Sequence, residues 1–225
     1  MNASQLRARL ATPAPEPGHG PATRTLRDVP ALGAPIDSDL GAALLTDHLV
    51  PAAVLVAFLQ GTEPAVLLTK RTAHLNKHAG QVSFPGGRID PDDASPEAAA
   101  LREADEEIGL APRHVELIGR LGDYVTGTGY RITPVLALLP EGLELAQLDL
   151  VASPHEVDEV FVLPLHVLLD PAAPQWRRSS FDGRVREFWV WPHAEHYIWG
   201  ATAAILVHVA ARLRGEAPPN RLPPA

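Results

Sequence analysis

The stretch that most constrains this chain runs from residue 84 to residue 110 and combines a glycine-containing loop, a helix and a stop signal. The Pro85-Gly86-Gly87 run predicts a loop, because proline and paired glycines interrupt regular structure and let the backbone approach a ligand closely. Ser95 is a good N-cap, and a proline and three alanines follow it. Gly109 supplies the C-terminal stop. The pattern therefore predicts a short, well-capped helix directly after a loop.

Three carboxylates share one face of this predicted helix. Glu103, Glu106 and Glu107 are spaced three and four residues apart, and Arg102 can pair with Glu106 one turn later. Like charges repel on a helix face, and the C-terminal half of a helix is unfavourable for carboxylates. A divalent cation with oxygen ligands would remove both penalties. A solvated acidic face is the alternative interpretation for a Glu-rich helix considered alone.

The order of these parts resembles the Nudix box, in which a glycine, an acidic residue and an Arg-Glu-x-x-Glu-Glu-x-Gly segment follow one another. The segment from Arg102 to Leu110 matches the second half throughout. The first half departs from the pattern. Counting from Gly87, the acidic position falls on Asp93 instead of a glutamate, and one additional residue separates it from Arg102.

The remaining pattern predicts one α/β domain of strands alternating with two principal helices, which gives a layered sandwich with a mixed β-sheet. The resemblance implies the same fold class, a Nudix-type α/β/α sandwich. We expect a Pro/Ala-rich arm over 1–36, with at most a short helix near its start, the Nudix domain over 37–215 and a tail over 216–225. Predicted strands include 54–59, 65–70, 115–121, 132–139, 156–163 and 187–191, with a short helix near 37–45 and an apolar helix over 201–214.

Composition limits the partners. The net charge is −8 with dispersed basic residues, so a nucleic acid is not an expected partner. The longest apolar run, Leu49 to Leu59, is far shorter than the roughly 18 residues that span a bilayer. No cysteine is present, which fits a reducing compartment. We therefore expect a soluble, cytoplasmic protein without a membrane partner.

A more specific resemblance lies outside the box. The segments 67–71 and 80–87, together with Ile198 to Leu206, are similar to the corresponding segments of coenzyme A pyrophosphatases. Two positions differ: Thr72 replaces a usual Ser or Ala, and Asn76 stands where an Arg is expected. The resemblance implies a hydrolase that cleaves the diphosphate of coenzyme A or a derivative. The alternatives are a Nudix hydrolase of ADP-ribose, NADH or a nucleoside triphosphate, and a non-catalytic nucleotide sensor, against which the complete carboxylate helix argues.

The resemblance also implies Mg²⁺ or Mn²⁺ as cofactor, held by carboxylates that neutralise the diphosphate and acidify a water. We expect Glu103 and Glu107 as metal ligands, with Glu106 as a third ligand or the general base. A carbonyl oxygen of the Gly86-Gly87 loop is expected to complete the ligand set. Arg102 would orient Glu106 without touching substrate.

Three further expectations concern the base and the substrate. Glu156, at the start of a predicted strand, is the alternative general base. Arg71 and Lys77, in a basic segment before the box, are expected to bind substrate phosphates. The segment around Tyr197 to Trp199 is expected to form a groove wall for the pantetheine arm. The sequence leaves open whether the substrate is free, acylated or oxidised coenzyme A, which metal is used and how many copies assemble.

Overall fold

The computed structural model describes residues 1, 3–12, 49–74, 79–126, 128–181 and 184–217. Four α-helices lie within these ranges: α1 Ala3–Ala11, α2 Pro96–Ile108, α3 Leu165–Leu169 and α4 Gly200–Arg214. The strands are β1 Val50–Gln60, β2 Ala65–Arg71, β3 Val82–Ser83, β4 Gly86–Arg88, β5 Glu116–Arg120, β6 Tyr124–Val125, β7 Tyr130–Glu141, β8 Val157–Pro164, β9 Gln175–Phe181, β10 Arg184–Trp191 and β11 Ile198–Trp199.

The larger sheet is mixed, as the sequence predicts. Its central path runs β3-β2-β1-β7-β5, with β8 paired to β2, β4 to β1 and β6 to β7. β1 and β7 are parallel, and the other pairs in this sheet are antiparallel. β1 and β2 are continuously apolar because both faces of the sheet are covered.

The two faces of the sheet carry two separate cores, which gives three α/β/α layers. Leu55 and Ala57 of β1 pack in one core with the apolar face of α2. Val56 and Phe58 point to the opposite face and pack in the core formed with α1 and α4. Strand alternation explains this division, since successive side chains point to opposite faces. No described helix is long and apolar enough to cross a membrane.

Helix α2 begins and ends where its sequence predicts. The Ser95 hydroxyl accepts a hydrogen bond from the Ala98 amide at 3.2 Å, and Pro96 is the first helical residue. Gly109 ends the helix in the left-handed conformation at φ 68°. The small buried residues Ala100 and Ala104 bring the helix close to the sheet.

The chain start packs on the α4 side of the sheet. Leu6 and Leu10 of α1 are fully buried in the α4 core, and Arg212 of α4 donates to the carbonyl oxygen of Leu10 at 2.6 Å. The predicted short helix near the chain start is therefore confirmed. The predicted helix near 37–45 lies outside the described residues, as does most of the predicted arm and tail.

The structure corrects three sequence-based expectations. The predicted Pro-Gly-Gly loop contains β4, whose Gly86 and Gly87 pair with β1. A proline within a predicted strand indicates an edge or a bulge, yet Pro134 lies inside β7, opposite Val54 of β1. On its other side β7 pairs with β5 and then with β6, and Pro134 lies at the interruption between these two strands. The polar strand β9, which no apolar pattern announces, pairs with β10, and Trp176 contacts Trp189 edge to face at 4.8 Å between ring centroids.

Candidate active site

Glu107 is the buried centre of the candidate site, with a side chain only 2% exposed. Its two carboxylate oxygens accept from the Gly86 amide at 3.0 Å and from Arg71 Nη1 at 3.2 Å. Burial raises the pKa of Glu107 to about 7, and the negative charges of Glu103 and Glu156 act in the same direction. The two hydrogen-bond donors therefore do not fully offset the cost of removing the Glu107 carboxylate from water.

Glu103 lies one turn before Glu107 and against the second glycine of β4. A Cβ atom on Gly87 would overlap the Glu103 carboxylate, so only glycine permits this approach. Burial raises the pKa of Glu103, an effect that the hydrogen bond from Arg102 opposes. Gly86 is more strictly constrained, because a Cβ there would collide with backbone atoms of β1, the Ala53 carbonyl oxygen and the Val54 Cα. The two glycines thus allow close contacts with β1 and with α2.

Arg102 links the carboxylates of the box to one another. Its Nη1 donates to Glu103 at 3.0 Å and to Glu106 at 3.1 Å. Its Nε and Nη2 donate to the two oxygens of Asp93 at 3.1 and 2.9 Å, and Nη2 also donates to the Arg88 carbonyl oxygen at 3.1 Å. The guanidinium therefore contacts Glu106, as predicted, and also joins the β4 end to the helix.

Asp93 carries the first acidic position of the box in a compact turn. The Asp90 amide donates to its carboxylate at 2.8 Å, and its own amide donates to the Asp90 carbonyl oxygen at 3.0 Å. The hydrogen bonds from Arg102 lower the pKa of Asp93. The chain therefore contains one residue more than the Nudix box pattern between Asp93 and Arg102, and the two side chains still form hydrogen bonds.

Glu156 comes close to this cluster from the turn before β8. Its charge contributes to the raised pKa values of both Glu103 and Glu107. Thr72 fixes the turn, since its amide donates to the Glu156 carbonyl oxygen at 3.0 Å and its hydroxyl to that of His155 at 3.3 Å. Within the described ranges, no side chain pairs with the exposed Glu156 carboxylate.

The remaining predicted site residues differ in their surroundings. Glu106 is 61% exposed and is held by Arg102. Arg71 is the last residue of β2, not part of a loop, and contacts Glu107. Lys77 lies outside the described residues. Tyr197 and Trp199 line a cavity of about 410 Å³ together with Gly80, Gln81 and Val82.

The charge balance of the site fits a divalent cation. Glu103 and Glu107 are two partly or fully buried carboxylates whose pKa values are raised by burial, so additional positive charge would stabilise their ionised forms. Their donor atoms are carboxylate oxygens, which suit Mg²⁺ and Mn²⁺.

Sequence reasoning missed a second group of potential ligands. Glu159, Glu195 and His196 have ligand atoms within 4.8 Å of one another, and Glu195 and His196 line the 410 Å³ cavity. The nearby His193 organises the turn that carries two of them. The sequence offers one signal for this group, the pair His193 and His196 three residues apart. Glu159 is distant in sequence, and only the fold brings it near His196.

An α/β/α sandwich with a carboxylate-bearing helix behind a Gly-Gly strand has the groups that a hydrolase of phosphoric anhydride bonds requires. The sequence model of the family described as NUDIX domain matches residues 49–183 of this chain. The chain belongs to the NUDIX family, and it is a Nudix hydrolase.

Two curated relatives agree with this assignment. The chain is 40% identical to the uncharacterized Nudix hydrolase NudL of Escherichia coli strain K12 over 162 residues, which cover 72% of this chain and 82% of that protein. It is 38% identical to NudL of Photorhabdus laumondii over 170 residues, covering 76% and 88%. A NUDIX hydrolase structure from Alicyclobacillus acidocaldarius aligns with a TM-score of 0.49 at 20% identity, covering 78% of this chain and 99% of that one.

Proposed function

We propose that this Nudix hydrolase cleaves the diphosphate of coenzyme A or one of its derivatives. Water attacks one phosphorus, a new P–O bond forms, and the bond from that phosphorus to the bridging oxygen breaks. The bridging oxygen leaves on the other phosphate, and the proton of the attacking water is transferred to a base. The products are a phosphopantetheine and adenosine 3′,5′-bisphosphate.

The observation that carries the substrate proposal is the contact between two distant segments that both resemble coenzyme A pyrophosphatases. Thr202, within 198–206, donates through its hydroxyl to the carbonyl oxygen of Val82, within 80–87, at 2.9 Å. The 410 Å³ cavity is lined by Gly80, Gln81 and Val82 of the 80–87 segment and by Trp199 of the 198–206 segment. One ligand arm can therefore touch both segments, which favours coenzyme A over substrates that lack such an arm.

Glu103, Glu106 and Glu107 are the proposed ligands of Mg²⁺ or Mn²⁺, together with a carbonyl oxygen of the Gly86-Gly87 strand. The bound metal supplies charge neutralisation of the diphosphate and lowers the pKa of a water. Arg102 holds Glu103 and Glu106 in position through its Nη1 hydrogen bonds.

The proposed general base is Glu156. It lies near the buried carboxylates, its backbone is fixed by Thr72, and its carboxylate is exposed. Glu106 is the competing candidate, but its carboxylate already accepts a charge-assisted hydrogen bond from Arg102 at 3.1 Å, whereas no described side chain engages that of Glu156.

Substrate phosphates are proposed to bind Arg71 and Lys77, and the pantetheine arm to lie along Tyr197 and Trp199. Arg71 already contacts Glu107 at 3.2 Å, so it adjoins the carboxylates where the diphosphate would bind. Tyr197 is 59% exposed and contacts the Trp199 ring at 6.5 Å between centroids, which gives an aromatic wall.

The test is a direct comparison of coenzyme A, 3′-dephospho-coenzyme A, ADP-ribose and NADH with Mg²⁺ and with Mn²⁺, followed by mass spectrometry of the products. We expect the highest kcat/KM for coenzyme A or an acyl derivative. A charge-assisted contact to the 3′-phosphate would favour coenzyme A over its 3′-dephospho form by roughly ten- to a hundredfold. Faster cleavage of ADP-ribose than of coenzyme A would overturn the substrate proposal while leaving the enzyme class unchanged.

A further inference from the structure

The cluster of Glu159, Glu195 and His196 lies on the opposite face of the sheet from the carboxylates of α2. Glu159 precedes Phe161 by two positions in β8, and Phe161 packs in the α4 core. Val160 and Val162 alternate with them and pack in the α2 core. Since side chains alternate along a strand, Glu159 faces away from α2. Any ligand of this cluster is therefore separate from the metal proposed at the Nudix helix.

The surrounding structure fixes the His196 ring and the backbone positions of Glu195 and Glu159. His193 Nδ1 accepts from the backbone amides of both Glu195 and His196 at 3.2 Å, which closes the turn that carries them. The His196 ring lies 3.8 Å from the Phe161 ring between centroids, and its side chain is only 5% exposed. The backbone of Glu159 is fixed by its pairing with Lys70 of β2. A buried imidazole is thus directed at a carboxylate on a rigid element.

The spacing of the imidazole and the carboxylate matches that of two ligands of one metal ion. His196 Nε2 and Glu159 Oε1 are 3.4 Å apart, while two ligands of a tetrahedral zinc ion, each about 2.0–2.1 Å from it, lie about 3.3–3.4 Å from each other. We propose that Glu159, Glu195 and His196 bind one divalent transition-metal ion of the Zn²⁺ class beside the 410 Å³ cavity, which Glu195 and His196 line. Glu195 is exposed, and its carboxylate offers the third ligand atom, within 4.8 Å of the other two.

The charges around the cluster are compatible with a bound cation. Lys70 also lines the cavity, but its ammonium is paired with Asp158 at 2.9 Å. Two carboxylates and one imidazole then face the position of the ion. A mixed nitrogen and oxygen donor set favours Zn²⁺ or Co²⁺ over Mg²⁺, which prefers oxygen ligands alone.

The experiment uses full-length protein carrying Glu103→Gln and Glu107→Gln, so that the Nudix helix no longer competes for metal. After EDTA stripping and dialysis, Co²⁺ is titrated while visible d–d absorption is recorded, and Zn²⁺ is then added as competitor. We expect one equivalent of Co²⁺ with tetrahedral-type absorption, displaced by Zn²⁺. Adding His196→Asn or Glu195→Gln should weaken binding at least about tenfold, whereas His114→Asn, an exposed histidine outside the cluster, should not change it.

Thermal unfolding in EDTA identifies any variant that fails to fold, and exposed Glu195 supplies a test that does not disturb the buried ring. Loss of Co²⁺ binding in a folded Glu195→Gln protein supports the site. Absence of stoichiometric binding in the parent, or unchanged affinity in both cluster variants, would overturn it and leave a simple ion pair between His196 and Glu159.

Discussion

Replacing Glu107 by glutamine should stabilise the metal-free protein at alkaline pH while removing activity. The pKa of Glu107 rises from 4.5 to about 7 on folding. A carboxyl group with a raised folded-state pKa stabilises the fold fully below about pH 4.5, and this contribution is lost as the pH rises through about 7. The loss amounts to about 3 kcal/mol at pH 8. A glutamine side chain does not ionise, so the Glu107→Gln variant does not lose this stability as the pH rises.

Part of this gain is offset by contacts that glutamine makes poorly. Its side-chain oxygen can still accept from the Gly86 amide, but its NH₂ group would face Arg71, which costs about 1 kcal/mol. The net effect is about 2 kcal/mol, which for a chain of this size raises Tm by about 4–8 °C. At pH 5 both side chains are largely neutral, so the difference should shrink.

The assay is calorimetry in EDTA from pH 5 to pH 8, repeated with Mg²⁺. Added Mg²⁺ should raise the Tm of the wild type through ligand linkage and should affect Glu107→Gln far less. Turnover of the variant should fall by a hundredfold or more. Glu106→Gln, an exposed neighbour on the same helix, is the control for the pH effect on stability. If Glu107→Gln melted at or below the wild type at pH 8 without metal, the reasoning about its buried charge would be refuted.

Three further predictions concern the same site. Gly87→Ala should lower kcat about tenfold or more by displacing the carboxylate of Glu103, whereas Gly122→Ala, where an added Cβ meets nothing within 4 Å, should be neutral; equal kinetics of the two variants would contradict this. Glu156→Gln should lower kcat by roughly 10²–10⁴ with little change in KM, and near wild-type turnover would exclude it as the base. Arg71→Gln should raise KM about tenfold through loss of a charge-assisted phosphate contact of about 1.5–3 kcal/mol; an unchanged KM would leave Arg71 a purely structural partner.

Local signals predicted the elements whose determinants lie within a few residues of one another. The N-cap, the following proline and the terminal glycine of α2 are such determinants, and the helix has these ends. The continuous apolar runs of β1 and β2 likewise predicted buried strands. β9 escapes prediction because its sequence, Gln-Trp-Arg-Arg-Ser-Ser-Phe, carries neither a continuous apolar run nor a clean alternation, and the pairing with β10 decides its conformation.

The site was predictable to the extent that one helix carries it. The spacing of Glu103 and Glu107 places both carboxylates on the face toward β4, but spacing alone does not reveal which of them is buried. The position of Arg71 depends on where β2 ends, and its contact with Glu107 joins residues 36 positions apart. Such contacts follow from tertiary packing, which a single sequence does not display.

The one-residue insertion in the box shows why tertiary contacts decide what a motif tolerates. Counting residues separates Asp93 from Arg102 by one position too many, yet the guanidinium donates to both carboxylate oxygens of Asp93. The contact requires only that the turn after β4 bring the carboxylate beside the helix, and the backbone hydrogen bond between Asp93 and Asp90 closes that turn. The second half of the box has no such freedom, because Glu103 and Glu107 must stay one helical turn apart to face the same Gly-Gly strand. An insertion is therefore accommodated before the helix and would separate the proposed ligands within it.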